Sequence, residues 1–332
     1  MINLHTKYLG LELRSPIVVS ACTLSEDIDN ILLMEDAGAG AVVMFSMFEE
    51  QIRKEEAKYN TIVNATTNIF AEATDYFPDL DEYHVATANY IETLRLAKER
   101  THIPIIGSIN GITPEGWIDY AKQLEQAGAD ALEVNIFYIP ADIRLSSLEV
   151  EQRYLDIIQL VRKTVQIPIA VKLNPYFSAI GKMAVRMQHA GADGLVLFNR
   201  FYQPDYDIRQ LKLLHDLQYS EAGEIRLPLL WIALLSGQLD LSLAATTGVQ
   251  RAEEVIKYIL AGADVAMTAS ALYKHGIPYI ATMEKELRRW MEEMNFQTVD
   301  AFRGVMNQSN IADPTAYERA NYIRVLEGVK RG

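Results

Sequence analysis

Four short stretches of the chain carry polar side chains that could meet in one place. In "PIAVKLN", Pro168 to Asn174, strand alternation puts Ala170, Lys172 and Asn174 on one face and Ile169, Val171 and Leu173 on the other. The same parity pairs Glu133 with Asn135 in "ALEVN" and Ser108 with Asn110 in "PIIGSIN", and leaves Asn199 at the end of "GLVLFN". A lysine among apolar strand residues needs an anionic partner or an anionic ligand, because an unpaired buried charge is costly. Glu133 can be that partner, and a ligand role for Lys172 is compatible with it. The chemistry on offer is stabilisation of negative charge on a bound group, or a Schiff base between Lys172 and a carbonyl substrate.

A second constellation lies near the C-terminus. "AATTGVQRAEEV" and "MTASALYKHG" are each a small-residue turn feeding a helical pattern. Thr246, Thr247, Gly248, Ala269 and Ser270 there leave backbone N–H groups open to an anion, and helix N-termini add positive potential. Capping alone also favours small residues at such places. Their position late in the chain makes a phosphate grip the stronger reading if the fold is a barrel.

The elements that must position these residues follow from an internal repeat. Ala-Gly-Ala recurs in "EDAGAGAVVMF", "EQAGADALEVN", "QHAGADGLVLF" and "ILAGADVAMTA", each time after an amphipathic stretch and before a short apolar run. That order reads as helix end, left-handed glycine, strand. Between the copies lie "SPIVVSA", "IPIIGSI" and "IPIAVKL", which open on proline, as the first residue of a strand allows. With "DLSLAAT" added, eight strands are expected to begin near Pro16, Ala41, Pro104, Ala131, Pro168, Gly194, Leu241 and Asp264. The fold class is α/β, a (β/α)8 barrel with long insertions after strands 2 and 6. A doubly wound dinucleotide fold would want a Gly-rich first turn, and "VVSACTLSEDI" has no glycine.

The chain is read as a single barrel domain over residues 1–332. Residues 47–102 form an excursion at the active-site end, and residues 306–332 a charged tail after the last amphipathic helix. A further excursion, Tyr202 to Asp240, follows strand 6. The aromatics Tyr76, Phe77, Tyr138, Tyr202 and Tyr206 could make a lid over the site or simply pack the loops.

Composition excludes several classes. Of 332 residues 49% are hydrophobic, enough for one large core, and 31 basic against 44 acidic residues give a net charge of −13. That charge disfavours nucleic acid and anionic membrane surfaces as partners. No apolar run reaches the roughly 20 residues that cross a bilayer, and "MINLHTKYLG" is not a signal peptide. With one cysteine there is no internal disulfide, so a cytoplasmic protein is expected. Cys22 reads as a small packed residue rather than a nucleophile. His5, His84, His102, His189, His215 and His275 show no metal-ligand spacing, so no metal site is expected.

The order of these pieces resembles the FMN-dependent dihydroorotate dehydrogenases, especially the soluble kind, over the whole chain. "LRSPIVVSAC", "GSING", "EVN", "VKLNPYF", "LFN", "TTGV" and "TASALYKHG" carry the resemblance, and "VKLNPYF" is the most specific. It implies FMN as cofactor and oxidation of a CH–CH bond in a small anionic substrate, in pyrimidine biosynthesis. By that resemblance Ser20, Ala21, Cys22 and Ser108 belong to the flavin site and Lys172 faces the flavin's pyrimidine edge. Asn135 and Asn199 would sit by flavin or substrate, and Thr246, Thr247, Gly248, Ala269 and Ser270 would hold the phosphate. A homodimer is implied in the same way.

Some positions depart from the family pattern. The resemblance implies a Cys or Ser base just after the fourth strand, where this chain has "NIFYIP", so Tyr138 stands at the catalytic position with Lys172. Phe45 replaces a substrate lysine after the second strand, and "ATDYFPD" replaces an asparagine-bearing loop. Arg200 follows Asn199 and is a candidate for a substrate carboxylate, with an ion pair to Asp205 or Asp207 as the plainer reading. Two other functions fit the same residues: a flavin-binding or electron-transfer subunit without turnover, and a sugar-phosphate barrel enzyme with Lys172 as Schiff base.

Overall fold

The computed structural model describes residues 2–48, 85–111, 115–200, 204–214 and 218–317. Eight parallel strands close into a barrel: β1 (Ile17–Val19), β2 (Ala41–Val43), β3 (Ile105–Asn110), β4 (Ala131–Asn135), β5 (Ile169–Leu173), β6 (Gly194–Leu197), β7 (Ser242–Ala245) and β8 (Val265–Thr268). Each pairs in parallel with its neighbours in sequence, and β8 pairs with β1 to complete the ring. Around them run α1 (Ile28–Asp36), α2 (Val85–Arg100), α3 (Glu115–Gln126), α4 (Ser147–Thr164), α5 (Ile180–Ala190), α6 (Arg226–Leu235), α7 (Ala252–Ala261) and α8 (Tyr279–Glu293). This is the (β/α)8 barrel that the repeat predicts, and every strand begins within one residue of its expected place.

The repeat has a concrete job at the bottom of the barrel. Gly38, Gly128, Gly191 and Gly262 all have positive φ, between 98° and 111°, so each reverses the chain from helix into strand where a side chain would be strained. In three copies an aspartate follows, and its carboxylate accepts a backbone N–H from the first two residues of the strand before it. Ile105 N–H donates to Asp130 Oδ2 at 2.7 Å, Ile169 N–H to Asp193 Oδ2 at 2.8 Å and Leu243 N–H to Asp264 Oδ2 at 2.7 Å. Each aspartate also meets a base: Lys98, Arg162 or Arg303. The first copy has Gly40 instead, because a Cβ there would lie 1.9 Å from the Ser15 carbonyl oxygen. Ser15 Oγ takes over the acceptor role, receiving Ile17 N–H at 3.3 Å.

Asp264 is the most buried of these acids, and burial pushes its carboxyl up despite the Leu243 amide and Arg303. A carboxyl raised in the folded state binds protons that the unfolded chain has released. Its stabilising contribution is therefore full below the ordinary aspartate range and is lost as pH rises through the folded value. Asp264→Asn keeps an acceptor for Leu243 N–H, so the stability lead of the natural chain over this variant is expected to shrink as pH climbs from about 4. Urea unfolding of both chains across that range checks the sign.

Alternation sorts the strand residues into two cores. Ile17, Val19, Val42, Ile105, Val134, Val171 and Leu195 face the helices. Val18, Val43, Ile106, Ala170, Val196, Ala244 and Met267 fill the barrel interior with Tyr8, Leu9 and Leu13. Those last three belong to an N-terminal hairpin, Thr6–Tyr8 paired with Leu11–Leu13, that plugs the bottom. Leu9 N–H donates to Ser242 Oγ at 2.9 Å and Thr6 Oγ to the Asp264 carbonyl at 3.0 Å, fixing the plug to β7 and β8. Higher in the barrel the inward residues turn polar.

Of the excursion over residues 47–102, Met47–Phe48 extend the sheet beside β3 and α2 ends it; residues 49–84, with Tyr76, Phe77 and His84, lie outside the described residues. Past β6 a small hairpin, Asp205–Asp207 paired with Lys212–Leu214, precedes α6; Tyr202 and His215 are outside the described residues. The tail is described as far as Tyr317. No helix among the described residues is long and apolar enough to cross a membrane.

Candidate active site

Register brings the polar residues together. Ser108 pairs with Glu133, and one step higher Asn110, Asn135 and Lys172 stand side by side on β3, β4 and β5. Their side chains point inward because the parity that buries Val134 and Val171 outside leaves them no other direction. Lys172 and Glu133 are 7% and 1% exposed, and Lys172 Nζ lies 3.2 Å from Glu133 Oε1, so the ion pair expected from the sequence forms. Asn199 Nδ2 donates to Asn135 Oδ1 at 2.8 Å across the mouth.

Above this floor opens a cavity of about 590 Å³ at the C-terminal end of the strands. Lys172, Asn110, Asn135 and Asn199 line it, with Ser20, Ala21 and Cys22 from the turn after β1 and Arg200 at the rim. Thr246, Thr247, Gly248, Ala269 and Ser270 line it on the side of β7 and β8. Two sequence candidates are not in the wall. Ser108 sits one step deeper, its hydroxyl 2.8 Å from Ser46 Oγ, which does reach the cavity. Tyr138 packs against the outer core with the Arg153 guanidinium 4.2 Å over its ring, and its neighbour Phe137 takes the wall. Asn174, which shares the parity of Lys172, instead donates to Tyr154 Oη at 2.8 Å.

The turn after β7 has an unusual backbone. Thr247 and Gly248 have φ of 76° and 78°, two left-handed residues in a row. Tyr258 on α7 donates to the Thr246 and Thr247 carbonyls at 3.2 and 2.8 Å, turning those oxygens out toward the helix layer. Thr247 Oγ ties the turn to the Phe198 carbonyl at 3.0 Å. Behind it Ser220 Oγ and Ser270 Oγ stand 2.6 Å apart, with Gln250 Nε2 donating to Ser270 Oγ at 3.0 Å.

Apart from Phe45, the other walls were not legible as such in the sequence. Phe45, Phe48 and Phe137 line the cavity on the β2 and β4 side, and Tyr219 and Tyr273 stack at 5.2 Å near the turn after β8. Tyr273 Oη contacts Thr23 Oγ at 2.6 Å, and burial pushes both the Tyr273 phenol and the Cys22 thiol up. Arg200 pairs with Glu224, Nε to Oε2 at 3.2 Å, instead of Asp205 or Asp207. Phe45, Phe137, Arg200 and Tyr219 lie on loops, where no periodicity announces which side chain faces in.

A family model described as Dihydroorotate dehydrogenase matches residues 3–291. The chain belongs to the dihydroorotate dehydrogenase family. Its similarity to relatives is distant, and for two of the three that follow it runs nearly end to end. It is 25% identical over 311 residues to the dihydroorotate dehydrogenase B (NAD(+)) catalytic subunit of Thermoplasma volcanium, covering 92% of this chain and 99% of that one. To the protein of the same description from Methanocaldococcus jannaschii it is 26% identical over 312 residues, with 92% and 98% covered. To that from Shouchella clausii it is 27% identical over 215 residues, with 62% and 69% covered.

The cavity suits the flavin that the family resemblance implies. Small side chains at Ser20 and Ala21 leave a flat wall, a cation stands on the floor, and a turn with outward carbonyls closes the far end. Those are the demands of a planar ring that gains negative charge and carries a phosphate tail.

Proposed function

We propose that the chain is an FMN-dependent oxidoreductase of dihydroorotate dehydrogenase type, acting on a CH–CH bond of a small anionic substrate, dihydroorotate first among them. The observation that carries this is a single cavity whose walls hold both the buried Lys172 and the left-handed turn of Thr246 to Gly248. Bound FMN supplies the hydride acceptor. Thr246, Thr247, Gly248, Ala269 and Ser270 hold its phosphate, and Ser20, Ala21 and Cys22 lie along its ring. Lys172 compensates negative charge at the ring's pyrimidine edge, with Ser108 in the layer beneath. Asn135 and Asn199, bonded to each other, present amide groups to ring and substrate. Arg200 takes a substrate carboxylate. Tyr138 is the proton acceptor by sequence position, and to serve it must leave Arg153 and turn toward the cavity. A cytoplasmic homodimer completes the reading, and light scattering checks the dimer.

The test is anaerobic mixing of the FMN-loaded protein with dihydroorotate. Bleaching of the visible flavin bands is expected. Protein that takes up no FMN overturns the reading; FMN-loaded protein that dihydroorotate leaves oxidised overturns the substrate. Arg200→Ala is expected to raise KM for the acid about 10- to 100-fold with kcat little changed, the worth of one charge-assisted hydrogen bond made equally before and during reaction. Steady-state kinetics read that split.

A further inference from the structure

The polar layer of the barrel contains two atoms that the cavity does not explain. Glu133 gives one oxygen to Lys172, while its Oε2 is buried without a hydrogen-bond partner among the described residues. Tyr8 Oη, from the hairpin that plugs the bottom, is likewise buried without a hydrogen-bond partner among the described residues. Tyr8 is 0% exposed inside the same barrel, and its phenol is pushed up by burial first and by the Glu133 carboxylate second, so the two groups are close enough to feel each other. Orphaned polar atoms at this depth are costly, and one water between them would satisfy both. A carboxylate placed so deep is costly too, and a barrel needing only to be filled would hold an apolar pair there.

We propose that Glu133 is a positioning residue for the cofactor: it fixes the Lys172 ammonium on the cavity floor, and Tyr8 steadies its second oxygen through a shared water. The inference rests on the FMN reading above. Glu133 thereby sets how much of the lysine's charge reaches the ring. Neutralising the carboxylate leaves that positive charge less compensated and favours any state in which the ring is anionic. Removing the Tyr8 hydroxyl has the opposite sign, because a carboxylate stripped of a donor screens the lysine more fully.

Sulfite binding to the FMN-loaded protein reads this without turnover, since the adduct leaves negative charge on the ring. Glu133→Gln is expected to keep FMN and to bind sulfite on the order of tenfold more tightly, the scale of one charge at short range in a partly screened site. Its flavin midpoint potential is expected to move positive. Tyr8→Phe is expected to weaken sulfite binding by a smaller factor. A Glu133→Gln protein that holds FMN with natural sulfite affinity and potential overturns the proposal. If that variant does not fold, Tyr8→Phe decides: an unchanged sulfite constant overturns it. Natural protein that takes up no FMN overturns the functional reading instead, which separates the two failures.

Discussion

Lys172→Met is expected to lower the unfolding free energy by about 3–5 kcal/mol, because it leaves the Glu133 carboxylate inside the barrel with its cation gone. Neither partner reaches solvent appreciably, so water does not soften the loss. The double change Lys172→Met with Glu133→Gln is expected to recover most of the stability, since it removes both charges together. A cost from lost packing alone would add across the two sites, whereas a cost from an unpaired charge cancels. Urea unfolding of the two single variants and the double one gives the coupling directly. The function should not return with the fold: the double variant lacks the cation proposed for the ring's pyrimidine edge, and dihydroorotate should reduce its FMN far more slowly than it reduces the natural protein.

Gly248→Val is expected to weaken FMN binding by about 100-fold or more, the loss of roughly two charge-assisted hydrogen bonds to the phosphate. A Cβ at this position would lie 2.9 Å from the Glu221 carbonyl oxygen and 2.7 Å from Ile225 Cγ2, and the backbone sits at φ 78°. Neither the backbone carbonyl nor the helix start behind it can yield cheaply, so the turn must open. Opening it also releases the carbonyls held by Tyr258, which would then be free to face the phosphate. Titration of the stripped protein with FMN, followed by quenching of flavin fluorescence, measures the change. Ser270→Ala removes a hydroxyl without moving the backbone, and a much smaller effect there would separate turn shape from side-chain contact.

Much of the fold was legible because two devices mark the strands directly. Proline opens β1, β3 and β5, and the Ala-Gly-Ala turn precedes β2, β4, β6 and β8. Inward parity was legible for the same reason: once a strand is placed, period two leaves one choice, and it put Glu133, Asn135 and Lys172 inside. Legibility ended where strands end. Asn174 keeps the parity of Lys172, yet the chain has left β5 by then and its amide goes to Tyr154. Tyr138 is three residues beyond Asn135, and the loop turns its ring under Arg153 while Phe137 faces the cavity. The partner of Arg200 came from Glu224, separated by an excursion whose path no local pattern sets. The aspartates of the repeat were visible in "AGAD", but their targets lie 21 to 25 residues away and become clear only with the strands paired.

Those aspartates bear on how a closed sheet finds its alignment. A barrel admits only whole-number offsets between neighbouring strands, and the sum of the offsets fixes its girth and tilt. Each carboxylate locks onto a single amide of the strand before it, like a peg in one hole. A slip of one residue at any of these seams would lose its peg and turn every side chain of the strand inside out. With three of the eight seams pinned, the ring has less freedom left in the other five. The seam at which Lys172 meets Glu133 is therefore flanked on both sides by seams fixed at the base, by residues that never approach the cavity.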